Sequence, residues 1–326
     1  MKDLKSILTQ VGDIFATEPF LGQPEGLYQP IAYTMGLGGK RLRPTLLLAA
    51  SHLFGGDMSR LRNATIAIEL FHNFTLLHDD LMDQSPLRRG QPTVYRKWNP
   101  NVAILSGDAM CALAWRYMLR YDQNRKDQAL ECFNETTIGV YEGQQLDMEF
   151  EQRNDVIIAE YMTMIRQKTA VLLAGALKIG ALSTTAADEE IARLYDFGIH
   201  LGLAFQLQDD LLDTYGDTAV LGKQTAQDIA DNKKNYLYLR ALSEADAAQR
   251  DQLLALFATK PQGSEAAEKI ERVLAIYNTL GLSAKTNEAI AAEFDEAARC
   301  LDAIGVPQPA KLPLMQLTEA LFGRKK

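Results

Sequence analysis

The pentapeptide Asp-Asp-x-x-Asp occurs twice, as Asp79-Asp80-Leu81-Met82-Asp83 and as Asp209-Asp210-Leu211-Leu212-Asp213. Each copy closes an apolar run: Phe74-Thr75-Leu76-Leu77-His78 precedes the first, and Leu203-Ala204-Phe205-Gln206-Leu207-Gln208 the second. On a helix, residues four apart share a face. Asp79 therefore pairs with Asp83, and Asp209 with Asp213. Two carboxylates one turn apart make a hard oxygen site for Mg2+, completed by water and phosphate oxygens. An acidic pair on a helix is ordinarily a solvated face. Two identical copies within apolar flanks point elsewhere, because embedded carboxylates are costly unless paired or metal-bound. The glycine-containing loop of an EF-hand is absent. A di-iron bundle needs two Glu-x-x-His helices, and only Glu69-Leu70-Phe71-His72 has that spacing.

Cations lie near the acidic motifs in sequence. Gly38-Gly39-Lys40-Arg41-Leu42-Arg43-Pro44 sets three of them at a predicted helix start, where free N–H groups favour anions. Arg88-Arg89-Gly90 follows the first acidic motif. Arginine suits bidentate phosphate contact, although two arginines beside three aspartates could equally form a structural ion-pair network. Lys168-Thr169, Lys223 and Lys233-Lys234 lie farther along and, taken singly, read as surface lysines. Carboxylates for Mg2+, cations for phosphate and an apolar helical interior together imply a ligand with a charged head and a greasy body.

The elements that must position these groups read as helices. Ala67, Leu70, Phe74, Leu77 and Leu81 recur at spacings of three and four, as do Val102, Leu105, Ala109, Ala112, Leu113 and Tyr117. Similar patterns cover Ala129 to Phe150, Val156 to Ile179 and Glu189 to Thr214, with no sustained alternation of period two for a strand. Ser59, Asn99 or Asn101, and Asp155 are the expected N-caps. No proline stands between Pro100 and Pro261, and proline breaks helix interiors, so long helices are expected there. Straight ones would let Asp209 and Asp213 face Asp79 and Asp83 across one cavity. Breakers separate the helices, but no low-complexity linker divides the chain. The 326 residues are 47% hydrophobic and 23% charged with a net charge of −8, which excludes disorder as the main state and an overall basic surface for nucleic acid. No apolar run is long enough to span a membrane, and Met1 to Gln10 has no signal-peptide core. Cys111, Cys132 and Cys300 are odd in number and far apart, suggesting neither disulfides nor zinc.

In order and spacing, GGKRLRP (38–44), LLHDDLMD (76–83), RRGQPT (88–93), KT (168–169), FQLQDDLLD (205–213) and GKQTAQDIADNKKN (222–235) resemble the trans-isoprenyl diphosphate synthase (polyprenyl synthetase) family, short-chain type. The resemblance implies an all-α fold, a single large helical bundle around a deep central cavity. It implies a homodimer; the lack of a dividing linker reads as one domain over residues 1–326, and composition with cysteine usage as a cytoplasmic location. The implied reaction is head-to-tail condensation of isopentenyl diphosphate with an allylic diphosphate, giving a C15–C20 product. Three Mg2+ ions per active site are implied, with Asp79, Asp83 and Asp209 as ligands. Asp80, Asp210, Asp213 and Lys168 complete the implied catalytic set. Lys40, Arg43, His72 and Arg89 resemble the isopentenyl diphosphate site; Arg88, Lys168, Thr169, Gln206, Lys223 and Lys233 resemble the allylic diphosphate site. Helical spacing supports one of these independently, since His72, Leu76, Asp79 and Asp83 form one stripe. Two positions depart from the family: Ala226 stands where glycine is common, and Asn235 where threonine or serine is.

Product length is less legible. A bulky aromatic five residues before the first motif marks shorter products in the family, and Phe74 holds that place. An ideal helix puts it about 140° from Asp79, so core packing explains it equally well. A longer-chain polyprenyl synthase is the main alternative. A terpene cyclase would carry an Asn/Ser/Glu-type second motif, and a regulatory subunit would be expected to lose aspartates.

Overall fold

A computed structural model describes residues 3–123, 125–216 and 226–322; Lys223 and the rest of 217–225 lie outside the described residues. All regular structure among these is helical except one two-residue β ladder. The helices are α1 (Leu4–Ala16), α2 (Glu25–Gly36), α3 (Leu42–Leu53), α4 (Arg62–Met82), α5 (Val94–Lys97), α6 (Pro100–Met118), α7 (Lys126–Gln152), α8 (Ile158–Ile165), α9 (Val171–Leu182) and α10 (Asp188–Tyr215). After these come α11 (Gln227–Ala230), α12 (Tyr236–Glu244), α13 (Ala247–Phe257), α14 (Ser264–Thr279), α15 (Leu282–Asp302) and α16 (Gln308–Phe322). The proline-free stretch holds the two longest, α7 with 27 residues and α10 with 28. The Asp188, Glu189 and Glu190 carboxylates sit in the first turn of α10, where they complement the helix dipole. No described helix is long and apolar enough to cross a membrane.

The described residues cluster into two compact units. The first is drawn from Met1–Thr137, Leu172–Tyr195 and Ile304–Leu317. Its centre is α4 packed on α6, with α1, α2 and α3 against them. Ile66, Leu70 and Phe71 of α4 are sealed from solvent, and the Phe71 ring meets Phe133 edge-on at 5.8 Å. The second unit is drawn from Ile138–Val171, Asp196–Ala303 and Thr318–Lys326. Within it α12 packs on α8 and α15, and α11 on α14. Tyr238 and Phe257 lie ring to ring at 4.1 Å.

Helix starts differ from expectation at two points. Asn99 does cap α6, accepting from the Val102 N–H at 2.9 Å, with Pro100 next. Ser59 is not a cap: Asp57 caps a 3-10 turn over Met58–Leu61 and takes the Ser59 N–H itself. Asp155 is turned to Arg153 at 2.9 Å, and Glu160 reaches back to the Ile157 N–H to start α8. Both local ion and hydrogen-bond partners outcompete the simple cap. The predicted helix from Val156 to Ile179 is continuous in sequence but holds a π turn at Arg166–Ala170, between α8 and α9.

Candidate active site

The first acidic motif ends α4 in the first unit. Asp79 is half-buried and Asp83 exposed; the Asp83 N–H closes the last turn on the Asp79 carbonyl at 2.8 Å. Asp80 points a third of a turn away and is only 6% exposed. Its carboxylate is gripped by Arg88, whose Nε donates at 3.0 and 3.2 Å and Nη2 at 2.6 Å. Arg88 stands on the β ladder, β1 (Leu87–Arg88) against β2 (Gln91–Pro92). The two loop residues, Arg89 and Gly90, have φ of 54° and 75°, the pattern of a type I′ hairpin turn. Thr93 Oγ1 donates to the Ser85 carbonyl at 2.8 Å and ties the hairpin to the helix end. Burial pushes the Asp80 carboxyl above its usual range; Arg88 opposes this, and Asp79 and Asp83 add to it. Of the two arginines, then, Arg88 is the one in the predicted ion-pair network.

Arg89 turns the other way. Its guanidinium donates to the Gly38 carbonyl and lies where a Cβ on Gly39 would stand, 2.6 Å from that point. Gly39 has φ of 121°, a backbone conformation that requires glycine there. Arg43 Nη1 meets His72 Nε2 at 3.0 Å. A guanidinium can only donate, so Nε2 accepts and the ring proton is on Nδ1. Burial, then Arg43 and its neighbours, hold His72 well below its usual range; the imidazole is neutral at pH 7. Burial also brings Arg43 down to about 10, still cationic. Arg41 is spent internally: it pairs with buried Glu69 at 2.8 Å, donates to the Met35 carbonyl at 2.6 Å and covers the Phe15 ring at 4.5 Å. Lys40 is exposed.

The second unit holds the other acidic motif at the end of α10. Asp209 is exposed, whereas Asp210 and Asp213 are 3% and 5% exposed. Asp210 accepts from the Tyr161 hydroxyl, from Gln206 Nε2 at 3.0 Å and from the Tyr236 N–H at 3.3 Å. Burial, reinforced by Asp228, nevertheless lifts its carboxyl to about 8. Asp213 accepts from the Asp228 N–H at 3.0 Å, and Asp228 is itself raised to about 7 by burial and by Asp213. Thr169 Oγ1 donates to Gln206 Oε1 at 2.9 Å. Lys168 and Lys233 converge on Asp147, at 2.6 and 4.0 Å, and Lys233 also reaches Glu151 at 2.6 Å. Lys223 lies outside the described residues.

Both family departures have structural readings. Ala226 has φ of 59°, the left-handed region that glycine enters freely. Asn235 caps α12 by accepting from the Tyr238 N–H at 3.1 Å, and its amide donates to Asp228 at 2.9 Å. Asparagine serves a cap as well as serine or threonine. Phe74 is packed against the rings of Phe71 and His78, at 5.6 and 4.8 Å. Sequence reasoning missed Glu69, Asp147, Glu151, Tyr161 and Asp228. Glu69 had a signal, standing one turn before His72 and Asn73; the others depend on contacts distant in sequence.

Among the described residues, no three His, Cys, Asp or Glu side chains converge closely enough to hold a metal by themselves. Mg2+ does not require that, since it takes one or two carboxylates and fills its shell with water and phosphate. Asp79 is half-buried and Asp83 and Asp209 are exposed, whereas Asp80 and Asp210 are buried against the partners named above. Each unit thus carries one acidic motif with cations suited to phosphate in the same unit.

Known proteins similar to this chain point to one family. The polyprenyl synthetase family model matches residues 24–276. The chain is 40% identical over 252 residues to a short chain isoprenyl diphosphate synthase of Methanothermobacter thermautotrophicus, covering 76% of this chain and 78% of that protein. It is 39% identical over 241 residues to a geranylgeranyl diphosphate synthase of Saccharolobus solfataricus, covering 73% of each. A solved geranylgeranyl pyrophosphate synthase superimposes with a TM-score of 0.94 at 40% identity, over 100% of both chains.

Proposed function

The chain belongs to the polyprenyl synthetase family, and from that premise we propose that it condenses isopentenyl diphosphate head-to-tail with an allylic diphosphate to give a C15–C20 trans-prenyl diphosphate. Membership makes it a prenyltransferase. The observation that carries the specific reading is the repeated acidic motif, each copy with at least one carboxylate outside the buried core and with cations in the same unit. The family match runs through both units without a break; we take residues 1–326 as one synthase domain in which both motifs serve one reaction. The enzyme works as a cytoplasmic homodimer with three Mg2+ ions per active site.

Asp79, Asp83 and Asp209 would hold Mg2+, which when bound supplies Lewis-acid stabilisation of a departing diphosphate. Arg88, Lys168 and Lys233 add fixed positive charge where that anion forms; Thr169, Gln206 and Lys223 orient it. The lysines must first leave Asp147 and Glu151. Lys40, Arg43 and Arg89 hold the second diphosphate. Neutral His72 accepts from Arg43, so it orients that guanidinium without adding a charge. Holding both reactants makes the bond-forming step effectively unimolecular, and the new carbon–carbon bond is completed by loss of a proton to the released diphosphate. Water is kept out to protect the allylic cation left when the carbon–oxygen bond to diphosphate breaks.

The test is incubation of purified protein with Mg2+, isopentenyl diphosphate and each allylic primer, with product mass read by spectrometry. Asp79→Ala and Asp209→Ala should abolish turnover while the far-ultraviolet dichroism stays native. Wild-type-like rates in either variant would overturn the metal assignment, and absence of any elongated product from the parent enzyme would overturn the reaction.

A further inference from the structure

The helix carrying Lys168 and Thr169 is α-helical to Ile165, makes one π turn over Arg166–Ala170, and is α-helical again from Val171. A π turn fits an extra residue into the helical turn and swells the backbone outward. Whatever packs beside it must give way. Two neighbouring helices do so, each at a glycine. A Cβ on Gly143 of α7 would stand 2.2 Å from the Lys168 nitrogen and 2.7 Å from both the Gln167 carbonyl carbon and the Lys168 Cα. A Cβ on Gly202 of α10 would stand 2.4 Å from the Ala170 Cα and 2.5 Å from its Cβ. These atoms are backbone or fixed to it, and no rotamer change moves them aside. One turn earlier on α7, a Cβ on Gly139 would meet only the Val171 methyl at an ordinary 3.5 Å. The demand for glycine on α7 is therefore confined to the swollen turn. A glycine inside a helix costs about 1 kcal/mol relative to alanine, and two long helices each carry one here.

The spacing adds a second observation. Four residues after Gly143 on α7 is Asp147, which takes the Lys168 ammonium at 2.6 Å. Four residues after Gly202 on α10 is Gln206, which takes the Thr169 hydroxyl at 2.9 Å. Residues four apart share a helix face. Each glycine thus seats the π turn, and the next residue up the same face grips the side chain that the turn presents.

We propose that Gly143 and Gly202 are positioning residues, a two-sided backbone seat that holds the π turn and thereby aims Lys168 and Thr169 at the allylic diphosphate. This rests on the reading of Lys168 and Thr169 as allylic diphosphate residues. The seat acts on one substrate only, since its contacts are with residues 167–170.

The experiment uses the full-length enzyme with Mg2+ and four changes: Lys168→Gln, Gly143→Ala, Gly202→Ala and deletion of Gln167. The deletion removes the extra residue and lets the turn relax to α-helix, so it should make the seat unnecessary. Lys168→Gln should raise KM for the allylic substrate about tenfold. Each glycine variant should raise the same KM about fivefold or more and leave KM for isopentenyl diphosphate within about twofold, a split that general loosening would not give. Gly143→Ala should lower Tm by about 5 °C in the parent and by less than about 1 °C in the deletion background, a non-additivity expected only where the clash is with the bulge. Glycine variants that keep the allylic KM while Lys168→Gln raises it overturn the seat. So does an equal Tm loss, or an equal failure to fold, in both backgrounds; failure in the parent alone supports it. An unchanged allylic KM in Lys168→Gln overturns the site reading instead, and the thermal cycle then decides the seat alone.

Discussion

Removing Arg88 tests whether the first acidic motif is braced by an ion pair or merely decorated by one. The Asp80 side chain is 8% exposed and the Arg88 side chain 31%, with three donor–acceptor contacts between 2.6 and 3.2 Å. Taking one partner from a buried pair costs about 3–5 kcal/mol, because the other charge is left unsolvated. The Arg88 end is open to water, which enters when the side chain is truncated, so Arg88→Ala should sit near the bottom of that range, at about 3 kcal/mol. Asp80→Asn keeps the volume and leaves an arginine that water can reach, so it should cost only about 1–2 kcal/mol. Once the pair is gone the second change has little left to remove, and the double variant should lose about 3 kcal/mol. That is a coupling of about 1.5 kcal/mol, read by urea unfolding at pH 8 with EDTA and one protein concentration. The same change should appear as a Tm drop of roughly 6 °C for Arg88→Ala. The coupling should fade on acidification, because a protonated Asp80 no longer pairs. A coupling below about 0.5 kcal/mol, the additivity expected of independent sites, would sink the reasoning.

Three further outcomes follow from the same geometry. Tyr161→Phe deletes a donor to Asp210, whose folded carboxyl is at about 8 against about 3.9 unfolded. That carboxyl costs stability as pH rises between those values, and losing a bond to its ionised form extends the window upward. The variant should therefore lose about 1 kcal/mol at pH 6 and about 2–3 kcal/mol at pH 9 without metal, and a pH-independent loss would count against it. Ala226→Gly should add about 1 kcal/mol, since alanine at φ of 59° bears a steric penalty that glycine does not; a loss of stability in urea would contradict this. Cys132 is buried, and burial lifts its thiol to about 11, so it should resist a thiol reagent at pH 8 until the chain unfolds, with labelling followed by mass.

The helices were readable because their causes are local. Apolar spacing, the proline-free stretch and Asn99 before Pro100 act within a few residues, and α6, α7 and α10 fall where those signals put them. The π turn was not readable: a one-residue swelling leaves the apolar period of Val156 to Ile179 almost unchanged, and its support comes from glycines on two other helices. The Arg88–Arg89 hairpin was missed for the opposite reason, being too short to show any alternation. At the site, spacing singled out the paired aspartates, whereas Lys168, Lys223 and Lys233 read as surface lysines until the family resemblance marked them. Which of them are tied to protein was hidden, because Arg88–Asp80 and Tyr161–Asp210 depend on tertiary packing.

That packing gives the two copies of one motif different electrostatics. Successive helical residues point about 100° apart, so adjacent aspartates cannot both face the same ligand. In each copy the middle one turns inward, and the copies differ in what it meets there, as they do in the last residue, exposed at Asp83 and buried at Asp213. Asp80 meets a guanidinium, which opposes the effect of burial. Asp210 meets a phenol, an amide and a backbone N–H, none of them charged, and burial takes it to about 8. Arg88 thus counters the effect of burial on Asp80, whereas no charged hydrogen-bond partner counters it at Asp210. One Asp-Asp-x-x-Asp pattern thus buries its middle residue by two routes, one needing the Arg88 hairpin and the other the Tyr161 hydroxyl, Gln206 and the Tyr236 N–H.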